Sequence, residues 1–223
     1  MDFTVMQLLE LVGALGFFIY GMKVMSEGIQ KVAGSKMRGI LSVMASNRVF
    51  GVFTGFLITS LLQSSSATTV MVVSFVNAGL LTLVESVSVI MGANIGTTVT
   101  AWLLTLFGLG KFKIATIALP IIAIGFPMMF VRRGSWKSWA EVLIGFALLF
   151  LGLEHLKDSV PNLKENEQAL AFLSNYANMG MWSTLVFVGV GTILTLVVQS
   201  SSAAMALTLV MCTQGWIPFE LAA

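Results

Sequence analysis

The sequence predicts an all-α integral membrane protein built from two inverted copies of one helical repeat. Three observations carry this prediction. Apolar residues make up 57% of the 223 residues and charged residues only 10%, which is outside the usual composition of a soluble domain. Several apolar stretches reach the roughly 20 residues that a helix needs to cross a bilayer. The string QSSSA occurs twice, at Gln63–Ala67 and at Gln199–Ala203.

The first predicted span covers Leu8–Val24. A polar, amphipathic stretch follows it as far as Arg48, and we expect that stretch at the membrane interface. The later apolar segments are Phe50–Ala78, Leu80–Leu109, Ile114–Val131, Trp139–Leu153 and Met181–Val198. QSSSATT interrupts the first of these, and GANIGTT, at Gly92–Thr98, interrupts the second. We therefore expect broken helices at both places.

The first polar cluster stands in an uncharged setting. Most residues from Thr59 to Thr69 carry hydrogen-bonding side chains, yet no residue from Val49 to Val84 is charged. Roughly half the length needed to cross a membrane remains on either side of the cluster. This pattern predicts a re-entrant hairpin with QSSS at its tip.

The two QSSSA strings belong to a longer internal repeat. Aligning Gln199 with Gln63 also matches Gly191 with Gly55, Thr195 with Thr59, and Gly215 with Gly79. FFIYGMKVMSEGI aligns in turn with LLFLGLEHLKDSV. We therefore divide the chain into a first repeat with its trailing span, residues 1–131, and a second, inverted repeat, residues 132–223. The counterpart of GANIGTT would start beyond Ala223, so we expect the second repeat to be incomplete, and a homodimer stays open as the source of the remainder.

Basic residues predict the orientation. If each QSSS segment is a hairpin that returns to the side it entered, eight of the twelve basic residues share one face. They are Lys23, Lys31, Lys36, Arg38, Arg48, Arg132, Arg133 and Lys137. The positive-inside rule makes that face cytoplasmic and the N-terminus extracytoplasmic. On this path the second hairpin enters from the opposite side, which is why the repeats are predicted to be inverted.

The residue types in the polar cluster suit an oxyanion together with a hard cation. Ser64, Ser65 and Ser66 can each cap the following helix or donate a hydroxyl proton to an anion. The carbonyl oxygen of Gln63, with backbone and threonine oxygens, suits a monovalent cation. Because no lysine or arginine occurs between Val49 and Gly110, a co-bound cation would have to balance the anion there.

QSSSATT followed by GANIGTT, with a second QSSSA in an inverted copy, resembles the sodium-dependent phosphate cotransporter family: the type II cotransporters and their bacterial relatives. The resemblance covers nearly the whole chain. It implies two opposed hairpins whose tips form the phosphate and sodium sites. The implied phosphate residues are Gln63, Ser64, Ser65, Ser66, Gln199, Ser200, Ser201 and Ser202. The implied cation-binding or lining residues are Thr59, Thr68, Asn94, Thr97, Thr98 and Thr195.

The resemblance implies sodium-coupled import of inorganic phosphate across a plasma or bacterial inner membrane by alternating access. Its partners would be phosphate, Na⁺ as the coupling ion and the lipid bilayer, with no nucleic acid and no cofactor. Two alternatives stay open: a passive anion channel, and a membrane scaffold or phosphate sensor that does not transport. An enzyme is not expected, because a serine nucleophile needs a base and the single histidine, His155, lies at a predicted span end.

Overall fold

The computed structural model describes residues 5–44, 47–109, 114–131, 135–159 and 180–222, without the side chains of residues 34–44. All regular structure in these ranges is helical, which confirms the all-α class. The helices are α1 (Val5–Met44), α2 (Arg48–Leu62), α3 (Ser65–Asn77), α4 (Leu83–Leu103), α5 (Ala115–Met128), α6 (Trp136–Ser159), α7 (Met181–Val198), α8 (Ser201–Thr213) and α9 (Phe219–Ala222). A π-helical turn, Leu104–Leu109, continues α4.

Four helical segments are long and apolar enough to cross a membrane. They are Val5–Ala33, Leu83–Leu109, Trp136–Ser159 and Met181–Val198. The helices on either side of the first QSSS string are shorter, with 15 residues in α2 and 13 in α3. At 1.5 Å per residue, neither reaches across the roughly 30 Å of a hydrocarbon core. The chain therefore combines spanning helices with shorter apolar ones, as a membrane protein does.

Two helices differ from the sequence prediction. Helix α1 runs for 40 residues without a break at Lys23, so the polar stretch after the first span continues the same helix. Helix α4 runs through GANIGTT without interruption, and the predicted break there is wrong. Its glycines are used for packing and do not open the helix.

Glycines bring α2 and α4 into backbone contact. A Cβ atom added to Gly92 of α4 would collide with the carbonyl oxygen of Val52, and one added to Gly55 of α2 would collide with the carbonyl oxygen of Val89. Small residues are typical of such contacts in membranes, where close packing replaces the hydrophobic effect as the driving force. The segment Gly92–Thr98 therefore stays helical because α2 lies directly against it.

The helices divide into two compact units. The first-motif unit consists of Tyr20–Leu103 and Thr116–Leu148 and contains the first QSSS string. The second-motif unit consists of Met1–Ile19, Leu104–Ala115 and Leu149–Ala223 and contains the second string. Helices α1 and α6 contribute to both units.

An apolar cluster of residues from α2, α3, α4 and the connection between α3 and α4 holds the first-motif unit together. Its buried members are Ile58, Leu62, Val72, Leu81 and Val89, and residues of α1 such as Ile29 pack against it. An ion pair joins α1 to α6 in the same unit, with 2.6 Å between Lys31 Nζ and Glu141 Oε2. The first QSSS string is thus anchored at the end of a packed helix.

In the second-motif unit, buried apolar side chains lie on α6 and α8. Leu153 and Leu156 of α6 are buried, as are Ala206 and Val210 of α8. Helix α7 contrasts with them, because only 6% of its span is buried and its exposed residues are mostly apolar. Such a surface suits contact with lipid tails or with other helices.

Gly55 and Gly191 form a matched pair that tests the packing of α2 on α4. We expect Gly55→Ala to lower the free energy of unfolding by about 1–3 kcal/mol, because the new methyl group meets backbone atoms that cannot move independently. Gly191, its counterpart in the repeat, has no described atom within 4 Å of its Cβ position, so Gly191→Ala should not destabilise the protein. Thermal unfolding of both variants in detergent micelles measures the difference. Equal tolerance of the two substitutions would contradict the packing described.

Candidate functional site

The first QSSS string joins two helices through a left-handed glutamine. Gln63 has φ 54° and ψ 27°, and its backbone N–H donates to the Thr59 carbonyl at 2.7 Å. Ser64 is extended, with φ −149° and ψ 104°, and its Oγ accepts from the Ala67 N–H at 3.2 Å. The helix is therefore broken at Gln63–Ser64, where the sequence predicts a break, while the re-entrant path through a bilayer stays a prediction.

The second string repeats this geometry. Gln199 has φ 54° and ψ 26°, and its N–H donates to the Thr195 carbonyl at 2.8 Å. Ser200 has φ −146° and ψ 110°, and its Oγ accepts from the Ala203 N–H at 3.2 Å. Identical residues thus adopt the same conformation in both copies.

The duplication continues beyond the strings. Helices α3 and α8 each contain 13 residues, and each is followed by a glycine with positive φ, Gly79 at 70° and Gly215 at 83°. Helix α4 begins at Leu83 and α9 begins at Phe219, which are equivalent positions in the alignment. The local structure is therefore repeated, and the inversion of one copy relative to the other stays a prediction.

Backbone strain marks the two glutamines. In the described part of the chain, Gln63 and Gln199 are the only residues other than glycine with positive φ. This conformation costs an L-amino acid about 1–2 kcal/mol, and a glycine would avoid the cost. Strain of this kind concentrates at functional sites. The strain therefore points to a role for the glutamine side chain that glycine could not fill.

A buried hydrogen-bond network surrounds Gln63, whose side chain is only 7% exposed. Its Nε2 donates to the Ser60 carbonyl, and its Oε1 accepts from Thr100 Oγ1 at 2.9 Å. Thr59 Oγ1 and Thr68 Oγ1 are also buried and lie 2.9 Å apart. The structure thus brings Gln63, Thr59 and Thr68 together at the junction of α2 and α3.

The serines of the first string are more accessible than Gln63. Ser64 and Ser65 are partly buried, Ser66 is exposed, and 3.2 Å separates the hydroxyl oxygens of Ser64 and Ser66. Ser66 also lines a cavity of about 610 Å³, together with Ser74 and Gln30. Hydroxyl groups and the first N–H groups of α3 therefore meet at an accessible place, where they can donate hydrogen bonds to an anion.

The second string is more open. Gln199 and Ser201 are exposed, Ser200 and Thr195 are partly buried, and Ser202 is only 7% exposed. Thr195 and Ser201 line a cavity of about 690 Å³ within this unit. The same backbone therefore presents its glutamine differently in the two units. That both strings form one binding site stays a prediction.

The predicted lining residues of GANIGTT lie away from the contact with α2. Asn94 and Thr98 are exposed, and by helical spacing they occupy the face of α4 opposite its glycines. Thr97 is half-buried, and its hydroxyl donates to the Ala93 carbonyl at 3.2 Å. None of the three has a hydrogen bond to Gln63 in the described structure. Their role as lining residues stays a prediction.

Sequence reasoning missed Thr100 and the Ser60 carbonyl as partners of Gln63. Thr100 follows Gly92 and Gly96 at intervals of four residues, so an unbroken helix places it on the same face. Because we predicted a break in the helix at GANIGTT, we did not apply helical spacing across that segment. Only the continuous course of α4 brings Thr100 to the first QSSS string.

Charged residues are sparse in the sequence segment that contains the first string. Glu85 is the one charged residue between Val49 and Gly110, and its Oε2 accepts from the Thr82 N–H and Oγ1, both at 2.7 Å. It therefore caps the start of α4. Within the described ranges, no three acidic, histidine or cysteine side chains cluster as a metal site would require. A cation bound here would have to use hydroxyl, amide and carbonyl oxygens.

Comparisons with known proteins agree with these features. The sequence profile of the Na⁺/Pi-cotransporter family matches residues 17–158. The chain is 28% identical over 216 residues to YjbB of Salmonella typhimurium, whose name proposes inorganic phosphate export. It is 41% identical over 107 residues to human sodium-dependent phosphate transport protein 2B. No solved structure matches the chain.

The alignments cover unequal shares of each protein. The match to YjbB includes 96% of this chain but 38% of YjbB, so the chain spans about two fifths of that relative's length. The match to the human protein includes 47% of this chain and 15% of that relative. The family profile covers most of the chain, and its range includes the first QSSS string and GANIGTT. On this evidence the chain belongs to the Na⁺/Pi-cotransporter family.

Proposed function

We propose that this chain carries inorganic phosphate into the cell, coupled to sodium, by alternating access. The observation that supports the proposal most is the break at Gln63–Ser64, where a strained and buried glutamine adjoins three serines. The human relative is named for sodium-dependent phosphate transport, which agrees with this chemistry. The chain spans about two fifths of the length of YjbB. Transport is an activity of a whole carrier, so it is stated for this chain as a proposal.

Phosphate binding would rest on donors without fixed positive charge. The hydroxyls of Ser64, Ser65 and Ser66 stand at the N-terminus of α3, where the backbone N–H groups also point outward and the helix dipole favours an anion. Each donor replaces one hydrogen bond that phosphate loses when it leaves water. The string could therefore hold an oxyanion in apolar surroundings.

Sodium binding would rest on the other side of the same break. The C-terminal carbonyl groups of α2 carry partial negative charge, and the Gln63 Oε1 and threonine oxygens lie beside them. Because only two residues separate the end of α2 from the start of α3, the proposed cation and anion positions are adjacent. Each bound ion then lowers the electrostatic cost of holding the other, which is a physical basis for coupling.

We extend the proposal to Gln199, Ser200, Ser201 and Ser202, which share the backbone conformation of the first string. The lengths of α2 and α3 support re-entrant hairpins, because neither helix alone reaches across a bilayer. In this proposal each string contributes half of the ligands, and the two repeats open to opposite sides in turn.

Export is the second candidate for the direction of transport. It is favoured by the name of YjbB, which covers 96% of this chain in the alignment. A coupled carrier runs in the direction set by the sum of its ion gradients, so the same site chemistry serves either direction. Phosphate movement measured in vesicles of known orientation, under inward and outward sodium gradients, distinguishes them.

Reconstituted chain in proteoliposomes should accumulate radiolabelled phosphate against its gradient when sodium is present outside. Replacing sodium by choline should reduce uptake to the level of protein-free liposomes, because the anion then lacks its counter-charge. Uptake that is indifferent to this replacement would contradict sodium coupling. Equilibration without accumulation would favour the channel, and no phosphate movement would favour the scaffold or sensor.

Alanine and glycine variants of Gln63 distinguish the effect of backbone strain at positive φ from the effect of losing the side-chain amide. We expect Gln63→Ala and Gln63→Gly both to abolish uptake, because both lack the amide. Gln63→Gly should be more stable to unfolding than Gln63→Ala by about 1 kcal/mol, since glycine adopts positive φ without the cost. The same pair at Gln199 should behave alike. Wild-type uptake by any well-folded member of the set would show that its glutamine is not a ligand.

A further inference from the structure

The hydroxyl of Thr100 makes a contact that its position in the helix does not require. Threonines in membrane helices usually donate to a carbonyl of the preceding turn. On α4, Thr97 does so to Ala93 and Thr98 to Ile95. Thr100 instead donates to Gln63 Oε1 at 2.9 Å, across 37 residues of sequence. Its hydroxyl is therefore directed to the first QSSS string.

The contact is shielded from solvent. Thr100 is 3% exposed and Gln63 is 7% exposed. A buried hydrogen bond of this kind is not replaced by water when one partner is removed, so its loss leaves a polar group unsatisfied. The close approach of α2 and α4 through Gly92 and Gly55 brings the two side chains within reach. The bond thus lies beside the close backbone contact between α2 and α4.

The Ser60 carbonyl fixes which end of the Gln63 amide faces Thr100, and the Thr100 hydroxyl then holds the amide oxygen in place. The Ser60 carbonyl accepts from Nε2, and the Thr100 hydroxyl donates to Oε1. An amide rotated by 180° would bring its oxygen against the oxygen of the Ser60 carbonyl, and two acceptors repel each other. The carbonyl oxygen of an amide has two lone pairs. Thr100 uses one of them and leaves the second for a ligand.

We propose that Thr100 is a positioning residue for transport, which orients the Gln63 carbonyl toward the coupling cation. The inference rests on the proposed function, because it assigns the cation to Gln63 Oε1. Thr100 lies outside the two QSSS strings and GANIGTT, and in this inference it helps to set the affinity of the site for the cation. Gln199 shares the backbone conformation of Gln63, but its side chain is exposed in the described structure, so the inference concerns the first string.

The test compares Thr100→Val, which removes the hydroxyl at nearly constant volume, with Thr100→Ser, which keeps it. Ser86→Ala is the matched control, because Ser86 is a buried hydroxyl on the same helix that donates only locally, to the Leu83 carbonyl. Initial uptake rates in proteoliposomes, measured over sodium and phosphate concentrations, give apparent KM and maximal rate for each variant.

We expect Thr100→Val to raise the apparent KM for sodium by about tenfold, the upper range for one hydrogen bond, with the maximal rate per folded protein retained. Thr100→Ser and Ser86→Ala should stay close to wild type. If Thr100→Val does not reach the membrane, Thr100→Ala carries the same expectation, since it adds no group against α2. A KM unchanged in the valine or alanine variant would overturn the inference.

A second readout shows whether Thr100 acts through Gln63. In a double-mutant cycle on thermal stability, Thr100→Val should destabilise the wild type but have little further effect in Gln63→Ala, because its partner is already absent. Additive effects would overturn the positioning role. The experiments also distinguish failure of this inference from failure of the proposed function. Normal uptake by Gln63→Ala would contradict both the proposed function of Gln63 and the role of Thr100. Loss of uptake in Gln63→Ala, together with a normal apparent KM for sodium in Thr100→Val, would contradict only the role of Thr100.

Discussion

The left-handed glutamine between two helix ends is the constraint on which the rest of the site depends. At Gln63 the chain leaves α2 and, one residue later, Ser64 caps α3. The negative end of one helix dipole and the positive end of the next are thereby placed side by side. A continuous helix would pair these backbone groups with one another and leave nothing for a ligand. The strained residue therefore leaves backbone hydrogen-bonding groups unpaired by the helix without introducing a charged side chain into the apolar segment.

Packing of α4 on α2 supports this break. Backbone contact through Gly55 and Gly92 holds the middle of α2 against α4, and the bond from Thr100 then reaches the amide of Gln63. The apolar cluster around Leu62 and Val72 secures α3 in the same unit. Glycine packing, which looks unrelated to ligand chemistry, is thus what positions the one buried carboxamide of the string.

The sequence predicted the class of the protein and the place of the helix break. Apolar content and segment length led to a helical membrane protein, because the bilayer leaves few other structures possible. The three serines after Gln63 marked the break, since serine is a poor interior helix former that favours caps. The matching backbone angles of Gln63 and Gln199 agree with the repeat alignment of these two positions.

Other features depend on contacts that a single sequence does not reveal. GANIGTT contains two glycines, which weaken an isolated helix, but packing against α2 overrides that preference. The same contact decides that Thr100 faces Gln63 while Asn94 faces away. Lys23 suggested the end of the first span, yet a helix that leaves the apolar layer continues as readily in a polar one, and α1 extends to Met44.

If the strings bind phosphate together with sodium, as proposed, the binding is measurable directly, without transport. The measurement is equilibrium binding of radiolabelled phosphate to the purified chain in detergent, with either sodium or choline as the cation at equal ionic strength. The account predicts saturable binding in sodium that weakens strongly in choline, and tighter sodium binding when phosphate is present, since linkage is reciprocal. Absence of saturable binding in sodium, or identical binding in choline, would contradict it.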